Sequence, residues 1–218
     1  MEAEEYNQWY ETPRGRWIAQ REVELLVGDL MPRPGESLLD VGCGTGFFTH
    51  ELADRVAGQV VGVDINQGWV EYARRAGGAR ASYAVADARV LPFRDASFDL
   101  VVSITALCFI TDELAAVREI VRVTRRRLVL GLLNRRSLLW LQKGQAGGHG
   151  GYRGAHWHTV REARSLLRGL PVQRLRARTG IHAPSGGRCA QLFERYWPSS
   201  LPTGAFILVA ADVGEEAG

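Results

Sequence analysis

The stretch Leu39-Asp40-Val41-Gly42-Cys43-Gly44-Thr45-Gly46-Phe47-Phe48 joins a short apolar strand, a glycine-rich turn and the start of a helix. The glycines allow a sharp backbone turn, and their missing side chains let a ligand lie directly against the main chain. The helix that follows directs its free N–H groups at the same place. The pattern predicts a ligand-binding loop between a strand and a helix.

Apolar strands alternate with helical patterns on both sides of this loop. We predict strands at residues 37–41, 60–64, 83–86, 98–104 and 128–133, and helices at 13–30, 47–56, 67–76 and 112–123, the last capped by Thr111. Strands that are apolar at nearly every position and separated by helices are typical of a parallel sheet covered on both faces. The predicted fold class is therefore α/β.

The pattern after Leu133 is looser. We predict a short helix at 137–141, a glycine-rich loop at 144–154, a helix at 159–170 with a Thr159–Glu162 capping box, an edge strand at 172–178, a hairpin excursion at 181–204 and a final strand at 206–210. Ligand crevices in open α/β sheets lie at the carboxyl ends of the strands. We therefore interpret residues 134–204 as a loop-rich, substrate-side region of one domain spanning residues 1–218.

Two carboxylates follow neighbouring strands. Asp64 ends the second strand about 20 residues past the glycine loop, where an acidic side chain accepts hydrogen bonds from ribose hydroxyls. Asp87 stands between Ala86 and Ala88, where a carboxylate could accept from an exocyclic amine while its small neighbours admit an adenine ring. The glycine spacing departs from the G-x-G-x-x-G pattern of dinucleotide sites, which disfavours a nicotinamide-dependent oxidoreductase.

Four segments together resemble the class I S-adenosylmethionine-dependent methyltransferases, and within them the methyltransferase type 11 group of ubiquinone/menaquinone C-methyltransferase-like enzymes. They are LLDVGCGTGFFT (38–49), VVGVDIN (60–66), VADARVLPFRDASFDLVVS (85–103) and RRLVLGLLN (126–134), in the family's order and spacing. The resemblance implies a Rossmann-like, seven-stranded, doubly wound sheet with an antiparallel last strand in three α/β/α layers. It also implies S-adenosylmethionine as the cofactor.

The resemblance carries roles onto matching residues. The glycine loop and Asp40 would lie by the methionine part of the cofactor, Asp64 would hold the ribose diol, and Asp87 would meet the adenine amine. The full set of implied cofactor residues is Asp40, Gly42, Cys43, Gly44, Gly46, Asp64, Ile65, Ala86, Asp87, Ala88, Ile104 and Thr105.

The N-terminal segment, residues 6–16, resembles the lid of this group, in which aromatic residues fold over the cofactor. The alternative is a helix packed on the edge of the sheet. With residues 1–30 as a helical lid, the residues expected to border the acceptor are Trp9, Tyr10, Leu107, Arg135, His149, Tyr152, His156 and His158. Methyl transfer needs alignment and a deprotonated nucleophile, so no catalytic residue is assigned from sequence.

The histidines offer a weak metal pattern. His156 and His158 are two residues apart, and no neighbouring cysteine or acidic residue in the sequence completes a ligand set. We therefore predict no metal site. A general base or a substrate hydrogen-bonding group is the alternative role for these histidines, and packing is a third.

Charge and composition bear on the acceptor and on location. The net charge is +3, and the basic residues concentrate in 118–195. This leaves an RNA methyltransferase as one alternative and a non-catalytic S-adenosylmethionine-binding protein as another, but no RNA-binding motif is evident. We expect a small acceptor, acidic or aromatic, with Arg135, Arg136, Lys143 and Arg153 as candidates for binding acid groups. No apolar run is long enough for a membrane span and no signal-peptide pattern begins the chain, so we expect a cytoplasmic protein. No pattern indicates an oligomeric state.

Overall fold

Seven strands form one sheet in the computed structural model, which describes residues 2–77, 80–196 and 201–214. Their order is β3-β2-β1-β4-β5-β7-β6. The first five run parallel, and β7 lies antiparallel between β5 and β6. This confirms the predicted sheet. The strands are β1 Leu38–Val41, β2 Val60–Asp64, β3 Ser82–Val85, β4 Phe98–Ile104, β5 Thr124–Leu133, β6 Val172–Gly180 and β7 Phe206–Val213.

Eight α-helices are described around the sheet. Helix α3 packs on β1 and β2, α4 on β2 and β3, α5 on β4 and β5, and α2 on β5 and β7. Their bounds are α1 Ala3–Glu11, α2 Pro13–Leu30, α3 Phe47–Val56, α4 Gln67–Ala76, α5 Glu113–Val123, α6 Leu138–Lys143, α7 Val160–Ser165 and α8 Arg188–Tyr196. None of the helices in the described part of the chain is long and apolar enough to cross a membrane.

The central strands form the core. Leu39, Val101 and Leu130 have no exposed surface, and every residue of β1 is buried. Burial on both faces explains why these strands are apolar at successive positions rather than at alternate ones. The strand predictions therefore succeeded best where the sheet is covered by helices on both sides.

Several predicted boundaries were wrong. Strand β5 begins at Thr124 rather than Leu128, because Arg125 to Arg127 form ion pairs with Asp99, Glu36 and Asp212 from within the strand. Helix α5 is capped by Asp112, which accepts from the Ala115 amide at 3.1 Å, and not by Thr111.

The C-terminal predictions were also partly wrong. The Thr159–Glu162 capping box is present, but α7 ends at Ser165, well before the predicted 170. The hairpin predicted at 181–204 instead contains α8, and its residues 197–200 lie outside the described part of the chain.

Candidate functional site

A cavity of about 790 Å³ lies at the carboxyl ends of the parallel strands. The glycine loop after β1, the end of β2 at Asp64 and the end of β4 at Ile104 form one side of it, and α1 covers another. Every predicted cofactor residue except Gly46 lines this cavity. The fold thus collects residues from four separate segments, 40–44, 64–65, 86–88 and 104–105, around one space.

The glycine loop has a conformation that favours glycine. Gly42 and Gly44 have φ values of +76° and +55°, where a side chain is strained. A Cβ built on Gly42 would overlap the Cβ of Ala106. Gly46 also has a positive φ, but its missing side chain makes room for the Tyr83 hydroxyl, which a Cβ would approach to 2.9 Å. Gly46 thus packs against Tyr83 and is absent from the cavity lining, and its role at the cofactor stays a prediction.

Asp64 links the loop to the end of β2. One carboxylate oxygen accepts from the Gly44 amide at 2.9 Å, and the other accepts from the Asn66 amide at 2.9 Å. Each oxygen keeps lone-pair capacity for a ligand, because a carboxylate oxygen accepts more than one hydrogen bond. The side chain is thus held in one orientation at the cavity wall, as a binding site for two neighbouring hydroxyl groups requires.

Asp87 lines the cavity as expected, but its carboxylate already accepts hydrogen bonds from within the protein. Its carboxylate accepts hydrogen bonds from the Arg89 guanidinium at 2.6 to 3.1 Å and from the Arg89 amide at 2.9 Å. These hydrogen bonds from Arg89 lower the pKa of Asp87. The side chain expected to meet an adenine amine is therefore already engaged, and Arg89 stands beside it in the cavity wall.

Asp40 is 1% exposed at the inner end of the cavity. Its Oδ2 accepts from the Thr49 hydroxyl at 2.6 Å. Burial raises the pKa of Asp40 from 3.8 to about 7, and the Thr49 hydrogen bond opposes only part of that rise. A large fraction of this carboxyl is therefore still protonated near neutral pH, where an ordinary aspartate is fully ionised.

This raised pKa predicts a pH-dependent stability. A folded-state pKa above the unfolded value stabilises the fold below about pH 4, and that contribution is lost as the pH rises towards 7. Asp40→Asn keeps an acceptor for Thr49 without ionising, so its free energy of unfolding should fall less between pH 5 and pH 8 than that of the wild type. Urea denaturation at both pH values measures this. Equal losses in the two proteins would contradict the burial argument.

Helix α1 covers the cavity with aromatic rings. Tyr6 stacks on Trp69 of α4 with ring centroids 5.1 Å apart, and Tyr10 stacks on Phe47 of α3 at 4.0 Å. The Gly15 position in α2 has no room for a Cβ beside the Trp9 carbonyl, so the two helices meet closely. These contacts hold α1 against α3 and α4 beside the cavity, and its role as a lid stays a prediction.

The predicted acceptor-side residues divide into two groups. Trp9, Tyr10 and Tyr152 line the cavity. The others do not: Leu107 is wholly buried, Arg135 pairs with Glu162 at 2.7 Å, and His149 is exposed. Sequence spacing could not separate them, because the 3-10 turn Gly150–Tyr152 sets which side chains of the glycine-rich segment face inward. His156, His158, Arg136, Lys143 and Arg153 are likewise absent from the cavity wall.

His156 and His158 gain an acidic neighbour that the sequence did not reveal. A carboxylate oxygen of Glu113, at the start of α5, lies 2.8 Å from the Nε2 of His158, and the His156 ring lies beside the His158 ring with centroids 4.4 Å apart and planes tilted by 50°. Candidate ligand atoms of the three residues all lie within 4.8 Å of one another, close enough to share a metal ion. The interpretation that no acidic residue lies near these histidines was therefore wrong, because Glu113 is distant in the sequence but close in the fold. The prediction of no metal stays a prediction.

Sequence reasoning missed Glu22 and Arg14, two charged residues of α2 that line the cavity. Glu22 stands four residues after Ile18, on the helix face that turns inward. A carboxylate on an otherwise apolar helix stripe is an available signal for such a residue. Phe47, Ile181 and Phe206 complete the apolar part of the same wall.

Comparisons with known proteins agree with this site. Residues 39–130 match the family model described as a methyltransferase domain. The chain is 38% identical over 128 residues to O-methyltransferase cnsE of Penicillium expansum, covering 51% of this chain and 46% of that one. It is 37% identical over 107 residues to a malonyl-[acyl-carrier protein] O-methyltransferase of Serratia marcescens, covering 49% and 41%. The chain thus spans less than half the length of these two relatives.

A solved structure from Thermotoga maritima shares the fold. It is described as an S-adenosylmethionine-dependent methyltransferase, possible histamine N-methyltransferase. The superposition has a TM-score of 0.75 at 22% identity and covers 97% of this chain and 95% of that one.

The sheet order and the loop at the carboxyl end of β1 define a Rossmann-like architecture, which the chain shares with a solved structure described as an S-adenosylmethionine-dependent methyltransferase. The match at residues 39–130 and the two relatives make the chain similar to methyltransferases. The comparisons do not single out the ubiquinone/menaquinone C-methyltransferase-like group. The residues present fit the cofactor, because the Gly42–Gly44 turn leaves a cradle without side chains beside the fixed Asp64 carboxylate.

Proposed function

We propose that this chain transfers the methyl group of S-adenosylmethionine to an oxygen atom of a small molecule. The observation that carries the proposal is the extent of the cavity. It continues from the glycine loop past the predicted cofactor residues to a second region, the acceptor end, lined by Ile18, Glu22, Tyr152, Ile181 and Phe206. The names of the two curated relatives favour oxygen as the accepting atom.

The roles of the cofactor residues follow from their positions. S-adenosylmethionine supplies a methyl group on a positively charged sulfur. Asp64 would hold the ribose hydroxyls, and the backbone of Gly42 to Gly44 would lie along the methionine part. Asp87 with Arg89 would border the adenine. Tyr6 and Tyr10 of α1 would exclude water from the reacting atoms, which strengthens electrostatic interactions within the cavity.

We further propose that residues 1–30 act as the lid and residues 134–204 as the acceptor side of the same domain. The lid proposal rests on the stacking of Tyr6 on α4 and of Tyr10 on α3. The acceptor-side proposal rests on Tyr152 and Ile181, both of which line the cavity.

An RNA acceptor is the weaker candidate. Several arginines of the basic region are already paired, among them Arg122 with Asp95 and Glu119 and Arg125 with Asp99. The Arg125 pair, together with hydrogen bonds from Ser37, lowers the pKa of Asp99 to about 2. Arginines held by acidic partners on the same chain contribute little to phosphate binding.

Tritium-labelled S-adenosylmethionine distinguishes these acceptors. We expect label transfer to members of a panel of small phenols, alcohols and carboxylic acids, and none to total transfer RNA. The reason is that the acceptor end is a largely apolar space under α1. Liquid chromatography of the small molecules and precipitation of the RNA provide the measurement. Label on RNA that declines steeply with added salt would contradict the proposal.

A further inference from the structure

Glu22 is a charged residue without a partner at the acceptor end of the cavity. It lies on α2 with its carboxylate in the cavity wall. No hydrogen bond or ion pair joins this carboxylate to any residue in 2–77, 80–196 or 201–214, and burial alone raises its pKa to about 8. Carboxylates in poorly solvated places are usually paired, because the charged form is unfavourable there without a partner. An unpaired one in a cavity wall is therefore a candidate functional group.

Three of the titratable groups that face Glu22 are tyrosines, each less acidic than Glu22. Asp40, whose pKa is about 7, interacts with Tyr10 from the inner end of the cavity. Tyr6 and Tyr10 approach from α1 and Tyr152 from the Gly150–Tyr152 turn, and in each the pKa is raised by burial and by the charge of Glu22. Arg14, about two helical turns before Glu22 on the same face of α2, donates its Nε–H to the Pro184 carbonyl at 2.7 Å. It forms no ion pair with Glu22.

We propose that Glu22 is the general base for a neutral hydroxyl acceptor with an apolar body. This inference rests on the proposed function and names its acceptor class. A carboxylate acceptor would bring a second negative charge beside Glu22 in a poorly solvated space, which is unfavourable. A hydroxyl compound has the proton that an unpaired carboxylate accepts, and the apolar side chains Ile18, Ile181 and Phe206 suit a hydrocarbon or aromatic body.

The proposed methyl transfer involves the acceptor hydroxyl, the methyl group on the cofactor sulfur and the Glu22 carboxylate. The acceptor oxygen forms a bond to the methyl carbon while the carbon–sulfur bond breaks and its electron pair stays on sulfur. The hydroxyl proton goes to the Glu22 carboxylate. The products are the methyl ether, S-adenosylhomocysteine and a protonated Glu22, which returns its proton to water when the cavity opens.

Two fluorescent probes that differ in one group test the acceptor class. These are 2-naphthol, a phenol whose hydroxyl is still protonated at about pH 8, and 2-naphthylamine, which has an amine at the same ring position. We expect the wild type to methylate the phenol and not the amine, with kcat rising as the pH approaches about 8 and Glu22 ionises. Glu22→Gln should lower kcat at least about 100-fold, since a general base contributes roughly 10²–10⁴-fold.

A matched control stands on the same helix. Glu24 is exposed and pairs with Arg21, so Glu24→Gln should leave kcat and its pH profile unchanged. S-adenosylhomocysteine should bind the wild type and both variants within about threefold of one another, which separates a failed base from a failed cofactor site. A wild type that binds S-adenosylhomocysteine yet methylates only the amine, or neither probe, overturns the acceptor class. A Glu22→Gln enzyme with wild-type kcat on the phenol overturns the base.

The ionisation of Glu22 can also be measured without catalysis, by nuclear magnetic resonance. In protein labelled with ¹³C at the glutamate carboxyls, one resonance should titrate near pH 8 in the wild type and in Glu24→Gln, and should be missing from Glu22→Gln. Titration of the Glu22 resonance in the range of ordinary glutamates would show a solvated carboxylate and contradict the proposal.

Discussion

Gly42→Ala is expected to lower the free energy of unfolding by about 2–5 kcal/mol and to abolish binding of S-adenosylhomocysteine. The added methyl group would overlap the Cβ of Ala106, and φ at this position is +76°. Overpacking costs about 1–3 kcal/mol, and a left-handed backbone costs an alanine roughly 1–2 kcal/mol. Relief of the overlap would move the loop, and the loop is the proposed cradle for the cofactor. Urea denaturation and calorimetric titration measure the two effects.

Gly35 and Ala106 provide the controls for this variant. Gly35 has a similar φ of +85°, but nothing lies within 4 Å of the Cβ that alanine would add. Gly35→Ala should therefore show the backbone cost alone, about 1–2 kcal/mol, with unchanged binding. Adding Ala106→Gly to Gly42→Ala should remove the overlap and recover part of the stability. Equal losses in Gly35→Ala and Gly42→Ala would show that the close approach to Ala106 is unimportant.

Asp64→Ala is expected to weaken binding of S-adenosylhomocysteine at least about 100-fold while the protein stays folded. Hydrogen bonds to a charged group contribute about 1.5–3 kcal/mol each, and tenfold in affinity corresponds to about 1.4 kcal/mol. The variant also releases the Gly44 amide, which Asp64 holds at 2.9 Å. Calorimetric titration gives the affinity, and circular dichroism checks the fold.

Asp87→Ala is the matched comparison for Asp64. The Asp87 carboxylate is engaged by Arg89 through both its guanidinium and its amide, so it has less capacity for a ligand. We expect its removal to weaken binding less than about tenfold. A loss at Asp87 equal to or greater than the loss at Asp64 would reverse the order of importance that the hydrogen bonds indicate.

The parts of the fold that the sequence predicted are those that local patterns determine. Continuous apolar runs such as Phe98–Ile104 marked the buried parallel strands, and the positive-φ glycines at 42 and 44 marked the loop. The start of β5 was missed because Arg125 to Arg127 find their acidic partners up to 90 residues away in the chain, at Glu36 among others. Periodicity carries no information about such distant pairs.

The residues at the acceptor end also divide into those that local sequence predicted and those that contacts between distant segments determine. Tyr152 was expected from its place after β5, and it lines the cavity. Glu22 was missed because its importance comes from the lack of a partner, which depends on how α1, α2 and the Gly150–Tyr152 turn meet. His158 was expected to border the acceptor, but it does not line the cavity. Its Nε2 lies 2.8 Å from a carboxylate oxygen of Glu113 in α5. Pairwise contacts between distant segments decide these cases.

The most direct test of the central claim is calorimetric titration of the wild-type protein with S-adenosylhomocysteine. The fixed Asp64 carboxylate beside the open Gly42–Gly44 turn predicts one binding site with micromolar affinity, which Asp64→Ala loses. A folded wild-type protein that gives no binding heat with millimolar ligand would contradict the assignment of this cavity to S-adenosylmethionine.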